Sequence, residues 1–110
     1  MKIQGSYKEL NAIEGVTTNG DYPSGRYLSV SGDHAIAVFG TFDTATLEFV
    51  FFTEDSNGDL VELPTSTDFT FTSAPELQRF SFPKDAPFKV RVSSVGASTN
   101  LSVNLHKLIQ

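Results

Sequence analysis

Apolar and polar side chains alternate with a period of two along most of this chain. Successive side chains of an extended strand point to opposite faces, so this period predicts strands with one buried face. The pattern is strongest over residues 44–53, Thr-Ala-Thr-Leu-Glu-Phe-Val-Phe-Phe-Thr. Leu47, Phe49 and Phe51 share one face there, and Thr46, Glu48, Val50 and Phe52 share the other. β-branched and aromatic residues suit a pleated, half-buried surface. The stretch reads as a central strand, buried fully on one face and partly on the other.

Further strands follow from the same alternation. Residues 26–30 place Leu28 and Val30 on one face. Residues 34–39 are apolar on both: Ile36 and Val38 on one, Ala35, Ala37 and Phe39 on the other. Residues 60–63 return from an Asn57-Gly58 turn, a strong hairpin signal. Residues 68–72, 77–82, 88–93 and 101–106 each alternate, with Phe69, Phe71, Phe80, Phe82, Phe88, Val90, Val92, Leu101, Val103 and Leu105 inward. Residues 7–13 form a first strand or an extended arm, because Lys8, Glu9 and Asn11 interrupt the pattern. Residues 19–25 and 83–87 carry the glycines and prolines of turns. The one helical candidate, residues 73–80, is too short and has Pro75 near its start. About eight strands at regular spacing predict an all-β domain, an antiparallel β-sandwich of jelly-roll-like or Ig-like form. Residues 1–110 make a single domain, with 1–13 as a possible amino-terminal arm.

Composition narrows the function. A chain of 110 residues accommodates one domain of common size and buries roughly two-thirds of its unfolded surface. Ten phenylalanines supply much of the core volume. A net charge of −5 with scattered Lys and Arg disfavours nucleic acid. No apolar run is long enough to span a membrane, and the first residues do not read as a signal peptide. These features predict synthesis in a cytoplasm. The absence of cysteine removes disulfides and thiolate metal sites.

Few residues suggest chemistry. Asp33-His34 is the adjacent acid–imidazole pair, the arrangement that orients a general base. No Gly-x-Ser-x-Gly accompanies it, so it reads as a turn aspartate beside a strand-leading histidine. His106 reads as surface. Asp55, Asn57 and Asp59 offer alternating oxygens, as calcium loops do, but Leu60 stands where such a loop has its glycine, and a polar hairpin tip accounts for them. Glu48, Glu54, Asp55, Asp59 and Glu62 gather on one predicted hairpin, where charge also discourages edge-to-edge aggregation. Tyr7, Tyr22 and Tyr27 are candidates for sugar stacking, Tyr22 foremost, though Tyr22 reads better as a loop anchor. No catalytic, cofactor-binding or metal-binding residue is assigned, and no cofactor is expected. Val50, Phe52 and Phe39 are the outward apolar residues that would mark a partner surface if left uncovered.

From Gly40 onward the order of signals is Gly-Thr-Phe-Asp-Thr-Ala-Thr-Leu-Glu-Phe-Val-Phe, an acidic Asn-Gly turn, Leu-Val-Glu-Leu, Thr-Asp-Phe-Thr-Phe-Thr, a strand ending in Phe-Pro, Phe-Lys-Val-Arg-Val, and Ser-Thr-Asn-Leu-Ser-Val-Asn-Leu. Over about the last two-thirds of the chain, this resembles small β-sandwich virion structural proteins of tailed bacteriophages, of the capsid decoration (cement) or tail and fibre type. The resemblance implies a non-enzymatic protein that stabilises the shell through contacts with the major capsid protein or other virion proteins. It also implies a homo-oligomer, with a trimer favoured, made in the host cytoplasm and carried in the virion. A carbohydrate-binding β-sandwich module is the alternative, and a small hydrolase or isomerase on a β scaffold ranks third.

Overall fold

Alternation becomes strand pairing in the computed structural model, which describes residues 6–64, 69–73, 76–82 and 86–108. Its strands are β1 (Ser6–Val16), β2 (Gly20–Tyr22), β3 (Gly32–Thr41), β4 (Thr46–Glu54), β5 (Leu60–Glu62), β6 (Thr70–Phe71), β7 (Glu76–Phe82), β8 (Phe88–Ser93) and β9 (Asn100–Leu108). One sheet has the order β1-β9-β3-β7. The other has the order β2-β8-β4-β5, with β6 also on β4. Every pairing is antiparallel.

The pairings are nested. β1 lies on β9, β2 on β8, β3 on β7, and β4 on β5 and β6. The chain thus runs as one long hairpin whose arms meet at the β4–β5 turn. Alternate pairs of that hairpin fall in different sheets, and β9 beside β3 and β8 beside β4 knit each sheet together. This is the order of a jelly roll, so of the two sandwich forms expected from the sequence it is the jelly-roll-like one.

One-sided alternation explains the core. Ile36 and Val38 of β3 and Leu101, Val103 and Leu105 of β9 face Leu47 and Phe49 of β4 and Phe88, Val90 and Val92 of β8, all buried. An aromatic cluster joins the two sheets. Phe49 stacks on Phe88 with centroids 5.6 Å apart and meets Phe82 of the opposite sheet at 6.3 Å. Phe51, Phe69 and Phe80 continue the cluster but are only half-buried. Phe69 and Phe80 meet edge to face at 4.3 Å.

Two segments differ from the sequence expectation, and a third settles between its two alternatives. Residues 20–22, expected in a loop, form β2 on β8. Residues 26–30, expected as a strand, make only the isolated bridge Leu28–Phe88, although Leu28 and Val30 are buried as expected. Residues 7–13, expected as a first strand or an arm, are a strand; residues 1–5 of the possible arm 1–13 lie outside the described residues. That strand is β1, an edge strand that extends to Val16 and buries Ala12, Ile13 and Val16. Irregular register breaks its alternation: one shift lies between Asn11 and Ile13 and another between Ile13 and Val16. The Gly15 backbone, at φ +61°, donates its N–H to Ser102 Oγ at 3.0 Å within this irregular stretch. Of the expected turn 83–87, residues 83–85 lie outside the described residues, as does Asp68 of the strand expected at 68–72.

Candidate functional surface

Antiparallel register brings together charges that are far apart in the chain. Asp21 of β2 stands opposite Arg91 of β8, which stands opposite Glu48 of β4. All three face away from the core. Arg91 Nε donates to Asp21 Oδ1 at 2.7 Å and Nη2 to Asp21 Oδ2 at 2.9 Å. The same guanidinium donates to Glu62 of β5, Nη1 to Oε2 at 3.0 Å and Nη2 to Oε1 at 2.7 Å. Hydrogen bonds from Arg91 hold both carboxyls below their ordinary range, against a smaller opposing effect of burial. The two carboxylates push the guanidinium upward in turn, chiefly through the Asp21 hydrogen bond.

This ladder has a second effect. Val50 points away from the core yet is fully buried. Glu62 stands opposite Phe52 and Arg91 opposite Glu48, so their ion pair crosses the Val50 position between them. Lys89 stands opposite Val50, and its ammonium lies 4.8 Å from the centre of the Tyr27 ring. Tyr27 meets Phe52 edge to face at 5.0 Å. Partly exposed ion pairs contribute only about 0–1 kcal/mol each, whereas burying a valine side chain is worth roughly 1.5–3 kcal/mol. Covering Val50, in part with the aliphatic stem of Arg91, is therefore the larger contribution.

Two variants separate these effects. Arg91→Met keeps an aliphatic cover and removes the charge, and is expected to cost on the order of 1 kcal/mol after screening. Arg91→Ala uncovers Val50 and is expected to cost roughly 2 kcal/mol or more. Acid dependence carries the sign. Because both carboxyls titrate lower in the folded chain, their stabilisation is complete above the ordinary carboxyl range. It is lost as the pH falls below about 4 and through the lowered values. Urea titrations at pH 7 and pH 3 should therefore differ less for Arg91→Met than for the parent; an equal difference would remove Arg91 as the cause.

The other candidate residues are dispersed. Asp33 and His34 do not form a dyad. Asp33 lies on the outer face, where Arg79 Nη2 reaches its Oδ2 at 3.1 Å. His34 faces inward, fully buried, with Nδ1 at 2.9 Å from the Gly32 carbonyl and its ring edge-to-face with Phe82 at 5.3 Å. His106 is half-buried on the outer face, opposite Ala35. Asp55 Oδ1 accepts the N–H groups of Asn57 at 2.8 Å and Asp59 at 3.0 Å, while Gly58 takes φ +82°. The carboxylate is thus employed in shaping the turn. Among the described residues no group of three His, Asp or Glu side chains is placed to hold a metal ion. Tyr22 is an anchor: it packs on the core and its hydroxyl donates to the Thr18 carbonyl at 2.8 Å. Tyr27 remains exposed, and the side chain of Tyr7 lies outside the described residues.

Comparison with family models, with curated proteins and with solved structures finds no match.

The uncovered apolar surface is what remains. Of the three outward residues named from the sequence, Val50 is covered and Phe52 is half-buried beneath Tyr27, whereas Phe39 is 42% exposed. On β7, Leu77 stands opposite Ala37, diagonal to Phe39 on the same outer face, and is 47% exposed. Leu60, Val61 and Leu63 are exposed at the β4–β5 hairpin. These three sit beside the open end of the aromatic cluster, where sequence alternation identified a return strand but not that it lacks cover.

Proposed function

We propose that this chain is a non-enzymatic virion structural protein of a tailed bacteriophage, a capsid decoration (cement) protein that stabilises the shell by surface contact. It is made in the host cytoplasm, assembles as a homo-oligomer with a trimer favoured, and sits on the major capsid protein. The observation that carries the reading is the distribution of satisfied and unsatisfied surface. The strongest charged cluster, Asp21–Arg91–Glu62, is closed on itself, while Phe39, Leu77, Leu60, Val61 and Leu63 face solvent on sheet surface and sheet edge. Such a surface offers contacts, and apolar groups left exposed together mark partner sites. Jelly rolls serve both as shell components and as lectins, so fold alone does not choose between these roles.

A sugar-binding role is the second reading, favoured by the exposed Tyr27, which lies against Phe52 of β4 and Lys89 of β8. Against it, Tyr27 is already engaged by Phe52 and Lys89.

The deciding experiment mixes the purified chain with shells assembled from the major capsid protein of the same genome. Saturable binding that raises the temperature of shell disruption, together with a solution mass about three times the 12.0 kDa chain, is the expected result. Absence of shell binding, with affinity for an arrayed glycan instead, would replace this reading with the second.

A further inference from the structure

We infer that Asn57 is a self-modifying position: its carboxamide is converted to a carboxylate through an imide closed on the Gly58 backbone nitrogen, while the fold shields Asn19, which also precedes a glycine. The inference goes beyond the shell-binding reading and does not rest on it.

Imide closure brings the backbone nitrogen of the following residue onto the asparagine Cγ, and a side chain on that residue obstructs the approach. Asn11, Asn100 and Asn104 precede Ala12, Leu101 and Leu105 and lie within β1 and β9. Asn19 and Asn57 precede Gly20 and Gly58, and both are exposed, so exposure does not separate them. What separates them is how each is held. Asn19 Oδ1 accepts the Val95 N–H at 3.1 Å. The carbonyl just before it, that of Thr18, accepts the Tyr22 hydroxyl at 2.8 Å. Gly20 opens β2 opposite Val92, and a Cβ there would meet the Tyr22 ring at 3.5 Å. Turning the Asn19 carboxamide onto the Gly20 nitrogen therefore breaks the Val95 bond and disturbs strand-paired backbone.

Nothing holds Asn57 in this way. Its backbone N–H donates to Asp55 Oδ1 at 2.8 Å, but among the described residues its carboxamide has no hydrogen-bond partner. Gly58, at φ +82°, has no atom within 4 Å of the place of a Cβ. Its N–H donates to the Asp55 carbonyl at 3.1 Å, and this one exposed turn bond is what must open. Such openings at mobile surface turns cost little. Hydroxide then takes the Gly58 amide proton, and the nitrogen attacks Asn57 Cγ. The new N–Cγ bond forms, the Cγ–Nδ2 bond breaks, and Nδ2 leaves as ammonia with a proton from water. Water reopens the imide at Cγ to give aspartate, or at the main-chain carbonyl to give isoaspartate, whose backbone runs through Cβ and Cγ. One water enters and one ammonia leaves, with no change of oxidation state. One negative charge joins the −5 of the chain, on the hairpin that carries the exposed Leu60, Val61 and Leu63.

The test incubates the full chain in mildly alkaline buffer, folded and in urea, and follows each asparagine by mass spectrometry of the digested protein. Synthetic peptide standards separate aspartate from isoaspartate by chromatography. In the folded chain Asn57 is expected to convert at least about tenfold faster than Asn19, with both products formed. In urea, where neither carboxamide is held, the two rates should agree within about threefold. Gly58→Ala should slow conversion of Asn57 by about tenfold or more in urea as in buffer, because its methyl group obstructs the attacking nitrogen. Equal rates in the folded chain, faster conversion of Asn19, or an Asn57 that reacts in urea but not in the fold would each overturn the inference. Conversion of Gly58→Ala at the parent rate would do the same, by removing the Gly58 nitrogen as the nucleophile.

Discussion

Phe49→Ala is expected to cost about 3–5 kcal/mol and to lower the melting temperature by roughly 15–30 °C. Phe49 is fully buried and touches rings from both sheets: Phe88 at 5.6 Å, Phe71 at 6.2 Å, Phe82 at 6.3 Å and Phe69 at 6.4 Å. Removing it deletes the transfer term of the ring and leaves a cavity walled by other rings, which side chains fixed on β-strands collapse into poorly. A domain of this size has only about 5–15 kcal/mol to lose. Phe39→Ala is the matched control, since Phe39 faces solvent and its loss should cost no more than about 0.5 kcal/mol. Differential scanning calorimetry of the two variants reads the contrast directly. Similar melting points for both would mean that the aromatic cluster is not the core.

Gly40→Ala is expected to be almost as damaging, by about 3 kcal/mol or more, for a different reason. Gly40 takes φ +109° near the end of β3, outside the regions open to other residues. A methyl group there would also run into the Asn100 carbonyl on the neighbouring β9. Strand and backbone thus meet at a distance only hydrogen permits. Gly58, at φ +82° in the β4–β5 turn, has nothing near the place of a methyl group, so Gly58→Ala should cost only about 1–2 kcal/mol. Chemical denaturation of the pair separates backbone strain from collision. Equal losses would show that the close approach of β9 contributes nothing.

How much of this could be read in advance depends on the kind of signal. β8 alternates strictly in burial, and the inward residues of β4, β8 and β9 lie where the sequence places them, because a strand buried on one face cannot slip by one residue without exposing it. β2 was invisible: Gly20-Asp21-Tyr22 has turn composition, and it extends only because β8 supplies partners for its backbone. Residues 26–30 have strand composition but hold one bridge, so tertiary context overrode propensity in both directions. In β1 the register shifts place Ala12 and Ile13 both in the interior, which no period of two would suggest.

The surface was less legible still. Arg91 looked like any outward residue of an alternating strand. Its importance comes from Asp21 and Glu62, which are distant in sequence and meet it only through sheet order. Val50 was an uncovered-patch candidate because a sequence shows which face a residue takes and not what lies across that face. Phe39, named on the same grounds, is exposed. The acidic hairpin was recognisable; that Asp55 accepts two backbone N–H groups, and that Leu60, Val61 and Leu63 lack cover, depends on how far the opposite sheet extends.

The nesting of the strand pairs bears on how the molecule is made. Ser6 pairs with Leu108, so the outermost partners lie about a hundred residues apart, and such long-range pairing is slow. The β4–β5 hairpin can zip while still on the ribosome, but β1 waits for β9 to emerge. Until then the interior faces of the early strands have no lid, and crowding by sibling nascent chains is the hazard of this topology.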